Sequence, residues 1–473
     1  MRAKPIFIGG TSSNAGKSWM ATALCAWLRR QGVAVAPFKA QNMSNHSYPC
    51  RDGGEIGRAQ VVQAEACGLE PEPAMNPILL KPHGAGSSQV VVNGRVWKTL
   101  PARGYYQHAR ELREHVLAAY ESLARRFEVI VIEGAGSVSE LNLREVDLVN
   151  LQLVTQLGAP WLLVADIERG GVFASVLGTV GLLSAVERGL LRGFAINKFR
   201  GDLSLFEEGV HILEERTGSH CFGVFPYAPG ITIGAEDSLA VETRAQCPAP
   251  PGVRIAIVRF PTLSNATDFR LLTWADWIES PPAREYDFVI LPGAKSTISD
   301  LQWLRTTGLD AWVVAHHRHG GTVVGICGGY QMLGRVIRDP LGVESPELFA
   351  TGLGLFPAET TLAAEKTTSV RTATTGRGVR FGGYEIHLGV TTVDPGIEPF
   401  ATTEDGRREG ARGERVIGTY LHGALESPGV CAEIFGMPVA DLEPRRKAYD
   451  QLADWLERHG RGIERLGLAR KDI

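Results

Sequence analysis

Short apolar runs alternate with segments of helical periodicity along most of this chain. In the first half the runs are Pro5–Ile8, Val33–Phe38, Glu128–Ile132, Trp161–Ala165 and Gly193–Ile196. In the second they are Val253–Arg259, Phe288–Leu291, Thr322–Gly325 and Val416–Tyr420. Short β runs bounded by Gly or Pro, with amphipathic helical stretches between them, predict parallel α/β sheets. Periodicity lapses at "VETRAQCPAPPGVR" (241–254), where Pro, Ala and charge take over. The pattern therefore predicts two α/β domains, 1–240 and 254–473, joined by a linker at 241–253. A Gly-, Thr- and Arg-rich stretch, "EKTTSVRTATTGRGVR" (365–380), reads as an exposed β excursion or loop.

Length and charge narrow this picture. At 473 residues the chain exceeds one ordinary hydrophobic core. A net charge of −3 leaves no basic excess for nucleic acid or an anionic membrane. No run approaches the length of a membrane span, and none reads as a secretory leader. The seven cysteines are scattered, odd in number and without C-x-x-C spacing, which argues against a disulfide framework or structural zinc. A reduced, cytoplasmic protein is expected, with its thiols free.

Candidate chemistry lies at two strand ends. "FIGGTSSNAGKSWMATALCAWLRR" passes from a strand through small residues into Gly-Lys-Ser and a helix. Five residues separate Gly10 from Gly16, one more than the standard phosphate loop allows. The physics is unchanged: backbone N–H groups at a strand-to-helix turn face an anion. Lys17 is placed for terminal phosphates and the Ser18 hydroxyl for Mg²⁺. Gly10, Thr11, Asn14, Gly16, Lys17 and Ser18 are the loop's candidate ATP contacts. "VIVIEGAGS" ends a strand in Glu133, a second Mg²⁺ candidate, with Glu55 a third. Asn197 and Lys198 in "GFAINKFRGD" end another strand, where an amide can read a purine edge. The polar stretch "FKAQNMSNHSYPCRDGGEIGRAQ" contributes Lys39, Gln41, Asn42 and Ser44 as substrate or phosphate candidates.

The second constellation centres on "VVGICGGYQML". A lone cysteine is usually a packing residue, but Cys327 stands between a strand and a helix on a Gly-flanked turn, where a thiolate is favoured and reachable. His422 in "VIGTYLHGALESP" follows a later strand and is the candidate base, with His387 as competitor. The Pro-Gly turn of "YDFVILPGAKST" offers an oxyanion donor at Gly293, and Gly328 offers the second.

These motifs are familiar in combination. "GICGGYQMLG", "LPGAKST" and "GTYLHG" resemble class I glutamine amidotransferases, a flavodoxin-like α/β domain. "GTSSNAGKS", "IEGAGS" and "NKFRGD" resemble the dethiobiotin synthetase-type P-loop fold, whose loop carries the extra residue. Both domains in this order, with "FKAQNMSNHSY", "GGEIGRAQ", "MNPILLKP", "ADIERGGVFA" and "GGYEIHLG", resemble the cobyric acid synthase family of cobalamin biosynthesis over nearly the whole chain. The resemblance implies a ligase using ATP, Mg²⁺ and glutamine to amidate four carboxylates of a corrinoid, adenosylcobyrinic acid a,c-diamide. Cobyrinic acid a,c-diamide synthase is the nearest rival. A pyrimidine-nucleotide synthetase ranks lower, because its histidine is followed two residues on by a Glu where this chain has Ala424. A partition-type switch ATPase ranks lower still, because residues 11–15 contain no lysine. Ala424 leaves the orientation of His422 without an acid; Glu385 is the expected substitute.

Overall fold

The computed structural model describes residues 3–83, 86–231, 233, 252–345, 347–437 and 445–468. All but the last two residues of the expected linker lie outside these.

The first domain is built on β1 (Lys4–Gly10), β2 (Val35–Phe38), β3 (Val129–Glu133), β4 (Trp161–Asp166), β5 (Leu191–Phe199) and β6 (His220–Pro226). Their spatial order is β6-β5-β4-β1-β3-β2, and every pairing is parallel. β1, β3 and β4 are buried along almost their whole length, because helices cover both faces of the sheet. Central β1 runs into the glycine-rich loop and then helix α1 (Lys17–Arg30). Chain ends of β1, β3 and β5 thus converge at the carboxyl edge, where open α/β sheets bind ligands.

β6 was not expected, since Gly223 interrupts its apolar run. A side chain there would meet the His459 carbonyl at 2.3 Å, so the glycine answers to close approach by the distant C-terminus. The polar stretch after Lys39 opens a small sheet, also unforeseen, in which Gln41–Met43 pairs with Ile78–His83 and two further strands follow.

The second domain contains β7 (Ile255–Val258), β8 (Asp276–Ile278), β9 (Phe288–Leu291), β10 (Thr322–Ile326) and helix α2 (Gly328–Leu333). There follow the long hairpin β11 (Ala358–Thr375) and β12 (Arg380–Val393), then β13 (Ala411–Arg412) and β14 (Val416–Thr419). The main sheet runs β8-β7-β9-β10-β14-β13, parallel except for the β13 edge. Residues 365–380 form the far arms and tip of the β11–β12 hairpin.

The expected extent of the second domain needs one correction. Helix α3 (Arg445–His459) lies on α1 of the first domain. Leu452, Ala453 and Leu456 share a core with Ile6, Ile8, Leu24 and Leu28. The Trp455 ring packs edge-on against Trp19 at 6.0 Å, and Arg29 pairs with Asp450 at 2.6 Å. The chain therefore returns to its starting domain and straps it.

Because Leu452 is fully buried in that shared core, Leu452→Ala should cost about 2–5 kcal/mol in denaturant unfolding and raise amide exchange in α1. Unchanged α1 protection would contradict the strap.

Candidate active site

The phosphate loop is set by backbone shape. Asn14 and Gly16 both adopt positive φ, at 60° and 100°. A Cβ on Gly16 would lie 1.9 Å from the Asn197 amide nitrogen, so only glycine fits this turn. That Asn197 nitrogen donates to the Ala15 carbonyl at 3.0 Å, which ties the β5 end to the loop. Lys17 curls over Gly10 and donates to the carbonyls of Ser12 (3.0 Å) and Gly136 (2.7 Å). Thr11 is fixed by its N–H to the Val164 carbonyl. Ser18 Oγ donates to Glu133 Oε1 at 2.7 Å, so the hydroxyl and carboxylate that were expected at Mg²⁺ stand together. Lys39 Nζ reaches the same oxygen at 2.8 Å, and Gln63 donates to the other.

Other expected contacts fall elsewhere. Lys198 turns to Asp166, at 2.9 Å. Gln41 accepts from Tyr105, Asn42 donates to Gln60, and Ser44 accepts from the His46 N–H, so these three shape the segment that Lys39 begins. Glu55 is not with Ser18 and Glu133. It pairs with Lys366 at 2.8 Å and Lys81 at 3.3 Å. Burial disfavours its charge, yet the lysines outweigh it and hold the carboxyl at about 2. Its work is an interdomain ion cluster, which corrects the expected metal role. Among the described residues no group of three or more acidic, His or Cys side chains is arranged to hold a metal.

In the second domain Cys327 is held at φ 51° and ψ −111° between β10 and α2. For a residue with a Cβ this backbone costs about 1–3 kcal/mol and marks a site where orientation is enforced. Its Sγ lies 3.9 Å from the Ile386 carbonyl. Gly328 opens α2 in a space where a Cβ would be 2.9 Å from that of Ala294. Gly293 is required by the histidine itself, since a Cβ would stand 2.8 Å from His422 Cε1.

His422 follows β14 and is fully buried. Its Nδ1 meets Asp268 Oδ2 at 2.7 Å, while the other Asp268 oxygen accepts the Gly423 N–H at 2.8 Å. Asp268, on a short turn after β7, is the orienting acid. Glu385 is instead engaged by Arg407, with His387 Nε2 at 3.6 Å. That overturns the expectation for Glu385. Burial lowers the His422 pKa, but Asp268 and Cys327 outweigh it and push the ring up to about 10. Nε2 lacks a well-formed hydrogen bond, and Cys327 is close enough to bear on the ring. His387 stacks on Tyr420 at 3.8 Å and points Nδ1 at the Gly389 carbonyl, so it has no acid at Nδ1.

Sequence reasoning missed Asp268 because 154 positions separate it from His422. Nothing in "SNATDF" marks it as an active-site acid. Both domains line the pocket at Cys327, as expected for two sites that meet at the interface: Asn45, Ser47 and Lys81 come from the first, and Ser264, Gln331 and Lys366 from the second. Lys295 lines it too. Burial and neighbouring Lys366 lower its pKa to about 8, though Glu55 opposes this.

Comparison with known proteins follows the same division. Residues 6–239 match the family described as the CobQ/CobB/MinD/ParA nucleotide binding domain. Residues 254–430 match the CobB/CobQ-like glutamine amidotransferase domain. Among solved structures, one described as a glutamine amidotransferase is 18% identical, covering 43% of this chain and 100% of its own, with a TM-score of 0.30. Another, a glutamine amidotransferase from Thermotoga maritima, is 17% identical over 46% of this chain and 96% of its own, with a TM-score of 0.26. The signal recognition particle receptor FtsY from Elizabethkingia anophelis, with GDP, is 14% identical over 48% and 58%, with a TM-score of 0.28.

The raised His422 pKa has a signed consequence. A ring whose folded pKa exceeds its unfolded value near 6.5 stabilises the fold fully below that pH, and the contribution fades as pH rises through about 10. Asp268→Asn removes the supporting charge, so burial should dominate and the His422 titration, followed by NMR of the labelled ring, should fall by more than about one unit. A titration that stays in place would remove Asp268 as the partner.

Proposed function

We propose, from a chain that carries a CobQ/CobB/MinD/ParA-type nucleotide-binding domain followed by a CobB/CobQ-like glutamine amidotransferase domain, a cobyric acid synthase activity. The reaction is ATP- and glutamine-dependent amidation of the b, d, e and g carboxylates of adenosylcobyrinic acid a,c-diamide. The observation that carries it is the buried His422–Asp268 pair beside Cys327, which lines a pocket walled by both domains.

The proposed half-reactions use the residues brought together at the two sites. An imidazolium on His422, held by Asp268, favours the Cys327 thiolate. The thiolate attacks the glutamine amide, and the N–H groups of Gly293 and Gly328 are the assigned donors to the tetrahedral oxyanion. His422 passes its proton to the departing ammonia. Water then frees glutamate from the thioester, with the same ring as base.

At the other site Lys17 and the loop amides around Gly16 would hold the ATP phosphates, with Asn197 bracing the loop through the Ala15 carbonyl. The paired oxygens of Ser18 and Glu133 fit Mg²⁺, a hard cation that neutralises phosphate charge when bound. A substrate carboxylate takes the γ-phosphoryl group to become an acyl phosphate, and ammonia displaces phosphate from it. Water must be kept from this intermediate.

Mass spectrometry after incubation with ATP, Mg²⁺, glutamine and the a,c-diamide should show four successive amidations. Cys327→Ala should lose glutamine-driven turnover by about 10³-fold or more and keep ammonia-driven turnover; Lys17→Ala should lose both. Amidation of cobyrinic acid but not of its a,c-diamide would assign the chain to the diamide synthases instead.

A further inference from the structure

Two consecutive residues of the nucleotide domain touch the two members of the His422–Asp268 pair through one intermediary each. The Ser47 N–H donates to Asn265 Oδ1 at 3.2 Å. Asn265, at φ 53°, opens the Ala266–Phe269 turn that carries Asp268. The Tyr48 ring lies 4.7 Å from that of Tyr384, tilted at 58°. Tyr384 in turn stacks on the His422 ring at 5.2 Å and 23°. Backbone bonds run both ways between Tyr384 and His422, at 3.0 and 2.9 Å. The Arg58 guanidinium lies over the Tyr48 ring, 5.0 Å from its centre.

The result is a column, Arg58–Tyr48–Tyr384–His422, that begins in one domain and ends on the base of the other. Tyr384 is buried, and its hydroxyl meets no hydrogen-bond partner among the described residues. Stacked aromatics restrict ring rotation, and a general base performs only in a narrow range of orientations.

We infer that Tyr48 is a positioning residue for His422, acting across the domain interface through Tyr384, with Ser47 doing the same for Asp268 through Asn265. The amidotransferase pair is then complete only when the nucleotide domain is docked. This inference rests on the amidotransferase reading for its kinetic test but not for its structural one.

The experiment uses the full chain with Tyr48→Leu, Tyr48→Met and Tyr48→Phe. Glutamine hydrolysis should fall about three- to tenfold in kcat for Leu and Met with KM changed less than about twofold, and Phe should restore it. In protein carrying labelled histidine rings, the His422 resonance should move in Leu and Met and stay in Phe. Equal hydrolysis by all three, or equal impairment of Leu and Phe, would overturn the positioning role. Should the parent chain hydrolyse no glutamine, the amidotransferase reading fails, and the resonance comparison still decides for or against Tyr48.

Discussion

A carboxylate and an imidazole with no exposure to solvent, 2.7 Å apart, form the contact on which the rest depends. Desolvating two ionisable groups is costly unless geometry is good and the remaining lone pairs are satisfied. The carboxylate meets both conditions: Asp268 uses one oxygen for His422 and the other for the Gly423 N–H. The parallel order β7-β9-β10-β14 makes this possible, since it brings the turn after β7 and the loop after β14 to the carboxyl edge where Cys327 sits. Breaking the pair would leave a buried charge with no partner, a larger penalty than losing an ordinary packing contact.

The same economy of buried polar groups governs how the domains meet. Glu55 of the first domain takes Lys366 of the second and Lys81 of its own. Lys295 reaches Gln89 across the boundary at 3.3 Å. Such contacts define one docking register, because sliding the interface would strand charges in a low-dielectric site. The segment from Lys39 to Tyr48 spans the distance between the two chemistries: its first residue is paired with Glu133, and its last packs on Tyr384, which stacks on His422. Helix α3 adds a second tie, returning from the end of the chain to α1.

Much of this was legible in the residues. Strand-end motifs announced themselves locally: Gly16-Lys17-Ser18 by its place at a strand-to-helix turn despite one residue too many before it, Glu133 by its place after an apolar run, Cys327 by a glycine-flanked turn that a packing thiol would not need. Asp268 was not legible, because its partner lies in another strand's loop and no local pattern ties an acid after β7 to a histidine after β14. Glu385, closer in sequence to the base, was the wrong acid, since Arg407 and His387 draw it away. Glu55 misled for a similar reason: its neighbours Lys81 and Lys366 come from other strands, one of them in the other domain. β6 and the strap helix α3 were hidden by a long-range approach that requires glycine at 223.

Under the proposed function, nitrogen released at Cys327 would pass to the activated carboxylate ahead of exchange with bulk ammonium. Glutamine labelled with ¹⁵N at its amide, supplied with ATP, Mg²⁺ and the a,c-diamide in the presence of excess unlabelled ammonium, tests it directly. The account predicts product amides carrying predominantly ¹⁵N. Label diluted to the isotopic composition of the bulk ammonium would contradict it.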